Sequence, residues 1–184
     1  MSAAPTPSNP DSTTTLIVVM GVSGSGKSTL AERIAQYCGY TYLDADDFHS
    51  QEAKARMASG LPLTDTLRQP WVANICSRLQ QALAHQEHIV LAFSGLRRVH
   101  RQLVRNQSLK TLVLFLEGDV TTIQARVSSR QNHFMNPGLV HSQFETLENP
   151  KGETDIIPIS INSTPDQMLA QALVEIDKAM NTKH

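Results

Sequence analysis

The sequence has few cysteines, few aromatic residues and no excess of either charge. Two of its 184 residues are cysteine, Cys38 and Cys76, and they form no Cys-x-x-Cys pair. A disulfide framework or a structural zinc site is therefore not expected, and both side chains are interpreted as small buried hydrophobic groups. This cysteine usage is typical of a protein that resides in a reducing cytoplasm.

Charge is nearly balanced, with 16 basic and 17 acidic residues and a formal net charge of -1. Such a protein has no general electrostatic attraction for nucleic acid or for an anionic membrane surface. No apolar run approaches the roughly 20 residues of a membrane span. The sequence therefore predicts neither a nucleic-acid nor a membrane partner, and a bound anion must be held by a local site.

The first 14 residues are rich in Ser, Thr and Pro and contain no Lys or Arg. A secretory signal peptide requires a basic start and a longer apolar core than the run LIVVM at 16–20. We therefore predict a disordered leader over residues 1–14. The remaining residues, 15–184, are predicted to form one domain.

Short apolar runs rich in β-branched residues alternate with helical stretches. The runs predict strands at 16–20, 40–44, 88–93, 111–116 and 155–160. The stretches between and after them predict helices at 28–37, 51–58, 70–85, 98–105, 120–130 and 165–180. This alternation is typical of a parallel sheet covered on both faces. The predicted fold class is α/β, a three-layer α/β/α architecture with a five-stranded parallel sheet, and Pro158 favours an edge position or a shorter strand for the last run.

A glycine-rich segment, GVSGSGKS at 21–28, follows the first strand and precedes the first helix. It matches G-x-x-x-x-G-K-[ST], the P-loop pattern, in which backbone N–H groups converge on phosphates. The predicted nucleotide-binding residues are Gly21, Ser23, Gly24, Ser25, Gly26, Lys27, Ser28 and Thr29. Lys27 is expected to reach the β- and γ-phosphates of ATP or GTP, and Ser28 to ligate Mg²⁺. The alternative is a Gly-Ser turn that only reverses the chain.

The next strand ends in a cluster of carboxylates, Asp44, Asp46 and Asp47. Ligands gather at the carboxyl ends of strands in α/β sheets, and neighbouring carboxylates repel unless a cation or a hydroxyl donor is near. Because Asp44 and Asp46 are two apart on an extended strand end, both are expected to face the site while Ala45 points away. We assign Asp44 to Mg²⁺ and Asp46 to the general base. An acidic turn that caps a helix is the alternative.

Several blocks of sequence, in order, resemble the gluconokinase family of small P-loop sugar-acid kinases. They are MGVSGSGKST, LDADDFH, MASGLPLTDTLRQPW, FSGLRR and HFM…SQFETLENP, spread over about residues 20–150. The resemblance implies a P-loop fold like that of nucleoside-monophosphate kinases, with a mobile lid at about residues 126–142, and a homodimer. It also implies ATP-dependent phosphorylation of D-gluconate at its terminal hydroxyl, which gives 6-phosphogluconate and ADP.

The resemblance further implies roles for residues that match the family motifs. Substrate-binding roles fall on Asp46, His49, Arg56, Arg68, Arg97 and His133. Catalytic roles fall on Lys27, Asp46 and Arg130. Arg126 and Arg130 are expected to bind the nucleotide. Both lie close in sequence to the lid residues Phe134 and Met135. Arginines next to a lid can neutralise the transferring phosphoryl group. The alternative for both arginines is a surface ion pair with Glu117 or Asp119.

The chain departs from the family pattern at six positions near the expected acceptor site. They are Ala45, Ser50, Ala53, Thr66, Leu67 and Phe93. A kinase for another small polyhydroxy acid or hydroxylated metabolite is therefore an alternative. A nucleotide-binding regulatory protein without turnover is a second alternative, which the intact Lys27, Ser28, Asp44 and Asp46 disfavour.

The roles of two basic side chains and of two aromatic side chains have more than one explanation. Arg101 and Arg105 are four residues apart on a predicted helix, and no acidic residue occurs between Leu96 and Leu116. They belong either to a site for a bound anion or to a solvated helix face. The aromatic side chains of Trp71 and Phe144 are expected to pack in the core.

Overall fold

A computed structural model describes residues 13–129 and 137–181 of the chain. Its centre is one sheet of five parallel strands in the order β2-β3-β1-β4-β5. The strands are β1 (Thr15–Met20), β2 (Thr41–Asp44), β3 (Ile89–Phe93), β4 (Lys110–Glu117) and β5 (Ile156–Ser160). The five predicted strands and their parallel arrangement are confirmed.

Helices connect the strands and cover both faces of the sheet. In the described part of the chain they are α1 (Lys27–Cys38), α2 (Gln51–Ala58), α3 (Asp65–Ala84), α4 (Arg98–Arg105), α5 (Val120–Ser129), α6 (Pro137–Thr146) and α7 (Pro165–Asn181). Two 3₁₀ turns add to these, Ala45–Phe48 after β2 and Pro150–Gly152 before β5. The architecture is the predicted three-layer α/β/α fold.

The central strand β1 explains why two separate layers pack on the sheet. Successive side chains of a strand point to opposite faces, and every residue of β1 is buried. Ile17 and Val19 pack in a core that includes residues of α1, α5 and α7. Leu16 and Val18 pack in a second core that includes residues of α3 and α4. The P-loop leaves the sheet at the end of this central, doubly covered strand.

Several element boundaries differ from the prediction. Helix α3 begins at Asp65 and contains Pro70, which the sequence suggested as its start, because the Thr64 hydroxyl accepts from Leu67 N–H and begins the helix earlier. Helix α6 was not predicted. Strand β5 lies at the sheet edge as expected, with Pro158 opposite Phe115 of β4.

The described part of the chain begins at Thr13, close to the predicted end of the leader. Residues 1–12 are outside the described ranges. Thr14 is buried, and its carbonyl accepts from Lys110 N–H at 2.9 Å. Within the described ranges, no helix is both long enough and apolar enough to cross a membrane.

The side chains interpreted as core residues have different degrees of burial. Trp71 is buried and Phe144 is half-buried against the core, in line with the prediction. Cys38 and Cys76 are likewise half-buried and pack against the two cores, in line with their interpretation as small hydrophobic groups. Burial is still sufficient to raise the pKa of both thiols.

Neither sequence interpretation of Arg101 and Arg105 is correct, because both side chains are paired inside the protein. Arg101 is 3% exposed, forms an ion pair with Glu153 and donates to the carbonyl oxygen of Gly95 at 2.6 Å. Arg105 pairs with the same Glu153 at 2.6 Å and with Asp155 at 2.8 Å. Both acidic partners lie about 50 residues away in sequence, so the pattern of the helix alone could not reveal them.

Candidate active site

The P-loop has a backbone that only glycine adopts easily. Gly24 and Gly26 have φ angles of 84° and 94°, in the left-handed region that favours glycine. A Cβ atom at Gly24 would also lie 2.5 Å from Cγ2 of Val127. Helix α1 begins at Lys27 directly after this loop, and no side chain caps its first turn. The loop and the helix N-terminus together form a site for an anion.

Two polar side chains of the loop are buried without a hydrogen-bond partner among the described residues. The hydroxyl oxygen of Ser25 has no hydrogen-bond partner among the described residues. Lys27 is only 7% exposed, and no hydrogen bond or ion pair joins its ammonium group to the residues that the structure describes. A buried charge is costly unless it is paired. A phosphate group bound at this loop would supply that partner.

A hydroxyl and a carboxylate meet where a metal ion is expected. The Ser28 hydroxyl donates to Oδ2 of Asp44 at 2.9 Å, and the Tyr42 hydroxyl donates to the same oxygen at 3.0 Å. Burial and the Asp44 charge raise the pKa of Tyr42 to about 12, so the phenol stays a donor. The described residues contain no cluster of three or more His, Cys, Asp and Glu side chains that could hold a metal ion by themselves. Hard oxygen donors of this kind fit Mg²⁺, which takes its remaining ligands from water and phosphate.

The two carboxylates after β2 are not arranged as the sequence suggested. Asp46 lies in a 3₁₀ turn, and its N–H donates to Oδ1 of Asp44 at 2.9 Å. The interpretation that the backbone stays extended through Asp46 is therefore wrong, since Asp44 caps the turn that carries Asp46. Ala45 is buried, in line with the expectation that it points away from the site, and its carbonyl accepts from Trp71 Nε1 at 2.6 Å.

A cleft joins the P-loop to the acidic turn. It brings together five residues with predicted roles, namely Ser23, Lys27, Asp46, His49 and Arg68. The other residues of its lining are Met57, Pro62, Leu63, Trp71, Ser94, Leu96, Leu139, Ser142 and Gln143. The cleft therefore contains a phosphate-binding loop, a carboxylate and a guanidinium group within one space.

Asp46 and His49 form a pair at the cleft. Nε2 of His49 lies 3.7 Å from Oδ1 of Asp46, while Nδ1 of His49 is buried without a partner in the described chain. Burial alone would raise the pKa of Asp46. The adjacent His49 imidazole and the charges of Lys27 and Lys54 outweigh this effect and lower the pKa of Asp46 below its ordinary value. Asp46 is therefore ionised at neutral pH and can accept a proton.

The predicted substrate-binding arginines do not all reach the cleft. Arg68 is buried in its lining and donates to Asp65 at 3.2 Å, while burial lowers the pKa of its guanidinium, which stays charged. Arg97 lies 3.5 Å from the same Asp65 carboxylate, outside the cleft lining, and its buried Nε has no partner among the described residues. Arg56 also lies outside the lining, and its Nε donates to the carbonyl of Pro62 at 2.6 Å.

A second cavity contacts different residues of the P-loop. It is lined by Ser25, Gly26, Thr29, Leu30, Arg33, Arg126, Pro165 and Met168. Arg126 donates to the carbonyl oxygen of Ile161, so for Arg126 the alternative of a surface pair with Glu117 or Asp119 is wrong. Asp119 instead accepts from Thr122 N–H at 2.7 Å at the start of α5. Arg126 is thus held beside the P-loop, next to a mainly apolar cavity.

Sequence reasoning missed the part of the site that comes from α6. Leu139, Ser142 and Gln143 line the cleft, and Oε1 of Gln143 accepts from Ser23 N–H at 2.7 Å. Gln143 lies in the block SQFETLENP, whose resemblance to the family is the signal in the sequence that points to this residue. Arg130, His133, Phe134 and Met135 belong to the segment outside the described residues, so their roles stay predictions.

Comparisons with known proteins connect this site to one family. The family model of the AAA domain matches residues 16–147. The chain is 34% identical to a gluconokinase from Arabidopsis thaliana, over 93% of the chain and 97% of that protein. It is 35% identical to a probable gluconokinase from Mus musculus, over 86% of the chain and 95% of that protein. A gluconokinase from Sinorhizobium meliloti 1021 has a similar structure, with 37% identity and a TM-score of 0.79 over 88% of this chain and 91% of that one.

Proposed function

This chain belongs to the gluconokinase family of P-loop kinases, and from that premise we propose that it phosphorylates D-gluconate with ATP. The terminal phosphoryl group passes to the terminal hydroxyl of the sugar acid, and the products are 6-phosphogluconate and ADP. One observation carries the proposal, namely the cleft in which the buried Lys27 of the P-loop meets the ionised Asp46 and the buried Arg68. A phosphate donor and a hydroxyl acceptor can meet there.

The nucleotide spans the P-loop. Its phosphates accept from the loop N–H groups and from Lys27, and the Ser25 hydroxyl gains a partner. Its base and sugar fit the cavity beside Thr29 and Arg126, where Leu30 and Met168 provide an apolar lining. Arg130 adds positive charge near the transferring group, in line with the family resemblance.

Ser28 and Asp44 are the residues that would hold Mg²⁺. A bound Mg²⁺ neutralises charge on the phosphate oxygens during transfer. The Tyr42 hydroxyl also donates to the Asp44 carboxylate and helps to keep it in place. The ion and the nucleotide therefore share a site at the end of β1 and β2.

The acceptor lies against Asp46, His49 and Arg68. Asp46 accepts the proton of the attacking hydroxyl, since phosphoryl transfer needs a group that orients the nucleophile and takes its proton late. The guanidinium of Arg68 can bind the carboxylate of the sugar acid in a bidentate fashion. His49 can donate to a substrate hydroxyl, and Arg56, Arg97 and His133 are secondary candidates for acceptor contacts. We further propose that the enzyme acts as a cytoplasmic homodimer.

A screen of acceptors tests this function. ADP release is coupled to an indicator reaction, with D-gluconate and a series of other sugar acids as acceptors and with ATP and GTP as donors. We expect the highest kcat/KM for D-gluconate with ATP, and no release from the Lys27→Ala variant. A higher kcat/KM for another polyhydroxy acid would favour the alternative substrate class. Nucleotide binding without ADP release for any acceptor would favour the regulatory protein.

A further inference from the structure

A side chain from α6 binds the backbone of the P-loop. Oε1 of Gln143 accepts from Ser23 N–H at 2.7 Å, across 120 positions of sequence. A backbone N–H only donates, so the carbonyl oxygen of the glutamine amide must face Ser23. A donor of the phosphate-binding loop therefore has a neutral protein acceptor in this structure.

The position of the contact between Gln143 and Ser23 indicates which phosphate of the nucleotide can bind Ser23 N–H. Ser23 and Gln143 both line the cleft that contains Lys27 and Asp46. The other P-loop cavity contacts Ser25, Gly26 and Thr29 instead. A phosphoryl group that passes from the nucleotide to a hydroxyl beside Asp46 enters this cleft, whose lining includes Ser23. Gln143 thus binds a donor that the terminal phosphate of the nucleotide can also use.

We propose that Gln143 is a positioning residue that distinguishes ATP from ADP, an inference that rests on the proposed use of ATP. When the terminal phosphate is absent, the Gln143 amide satisfies Ser23 N–H. A terminal phosphate oxygen is charged, and its hydrogen bond is roughly twice as strong as one to a neutral acceptor, so it displaces Gln143. ADP has no terminal phosphate and leaves the contact between Ser23 and Gln143 in place.

Two substitutions of Gln143 with opposite expected effects test whether the terminal phosphate displaces this side chain from Ser23 N–H. Dissociation constants of ADP and of a non-hydrolysable ATP analogue are measured by calorimetry at saturating Mg²⁺, without sugar acid. Gln143→Ala removes the competing acceptor and should tighten binding of the analogue relative to ADP by about 2- to 10-fold, the worth of one hydrogen bond. Gln143→Glu keeps an acceptor but adds a negative charge, and should weaken binding of the analogue relative to ADP by about 10-fold.

A matched control is Gln36→Ala, since Gln36 is an exposed glutamine on α1 and should leave the ratio of the two constants unchanged. An unchanged ratio in both Gln143 variants, or a shift of the same sign in both, would overturn the proposal. If Gln143 only stabilised the P-loop, its substitution would change the affinities for ADP and for the ATP analogue equally. This test does not depend on sugar-acid phosphorylation. If the wild-type protein binds both nucleotides but phosphorylates no sugar acid, the proposed function is wrong, yet the ratio of the two dissociation constants can still be measured.

Discussion

The imidazole of His49 stacks on the indole of Trp71, with ring centroids 4.3 Å apart and planes 17° from parallel. The same indole donates from Nε1 to the carbonyl of Ala45, one residue before Asp46. Trp71 therefore fixes both members of the Asp46–His49 pair, although neither is its neighbour in sequence. The 3₁₀ turn that carries Asp46 is therefore positioned by an aromatic side chain of the core.

Trp71→Phe should separate these two functions of the indole. Phenylalanine retains an aromatic face for His49 but cannot donate to Ala45, so the turn that carries Asp46 becomes less well positioned. We expect kcat to fall about 10-fold while the KM for ATP stays constant, because small errors in position are costly for catalysis. Steady-state kinetics measure the change, and an unchanged kcat would show that the N–H bond contributes only to core stability.

Asp46→Asn retains the size of the side chain but removes the negative charge. Loss of the general base should reduce kcat by roughly 10²- to 10⁴-fold, while the affinity for ATP barely changes. Asp44→Asn should instead raise the Mg²⁺ concentration needed for half-maximal rate. Rates measured over a Mg²⁺ series distinguish the two. A shift of the Mg²⁺ dependence in Asp46→Asn alone would mean that the two roles are reversed.

The pH dependence of the reaction should report the environment of Asp46. Its pKa is lowered in the folded protein, so the ionised base is available at neutral pH and activity falls only when the pH drops through that lowered pKa. His49→Gln removes the largest of the lowering effects and should move the acid limb of kcat to higher pH. Lys54→Ala, which removes a weaker lowering charge, should give a smaller shift in the same direction. Identical acid limbs in all three proteins would show that Asp46 is not the titrating base.

Lys27→Ala should abolish turnover and weaken ATP binding, since it removes the buried P-loop cation. The matched control is Lys151→Ala, because Lys151 is exposed and is not part of either P-loop cavity. Calorimetry gives the affinity for ATP and the coupled assay gives the rate. Normal turnover in Lys27→Ala would contradict the assignment of the loop.

The buried carboxylate of Glu153 should make stability depend on acid. Burial would raise its pKa, but hydrogen bonds and charges from Arg101 and Arg105 lower it below the ordinary value. The stability that this pair contributes is therefore complete above the unfolded-state pKa and is lost as the pH falls through the folded-state pKa. Glu153→Gln should cost about 3 kcal/mol near pH 7 and flatten the acid dependence of unfolding.

Urea denaturation at several pH values provides this measurement. Asp166→Asn is the control, because the ion pair between Arg33 and Asp166 is exposed and should contribute less than about 1 kcal/mol. Equal losses in the two variants would mean that the Glu153 pair is no more important than a surface pair.

The sequence predicted the fold because the signals for its elements are local. The apolar run of β1 is buried on both faces, and the glycines of the P-loop follow it directly. Lys27 and Asp46 were expected in one site because both follow strands of a parallel sheet, and the carboxyl ends of such strands lie on one edge. These relations need no knowledge of distant contacts.

The features that the sequence did not reveal depend on contacts between distant segments. Asp46 lies in a 3₁₀ turn because the Asp44 side chain caps that turn. The sequence interpretation assumed an extended backbone at this point and therefore did not predict the turn. Arg101 was paired with Glu153, 52 residues later. Gln143 accepts from Ser23 N–H, 120 residues earlier in the chain. Each depends on which surfaces the tertiary fold brings together.

The separation of the two P-loop cavities has a kinetic consequence. Within the described residues, the cavity beside Thr29 and the cleft beside Asp46 have no lining residue in common. Donor and acceptor therefore need not enter by the same route, and neither has to leave before the other arrives. Both substrates can be present together, which predicts initial-velocity plots whose lines intersect instead of running parallel. The enzyme would then form a ternary complex, without a phosphorylated protein intermediate.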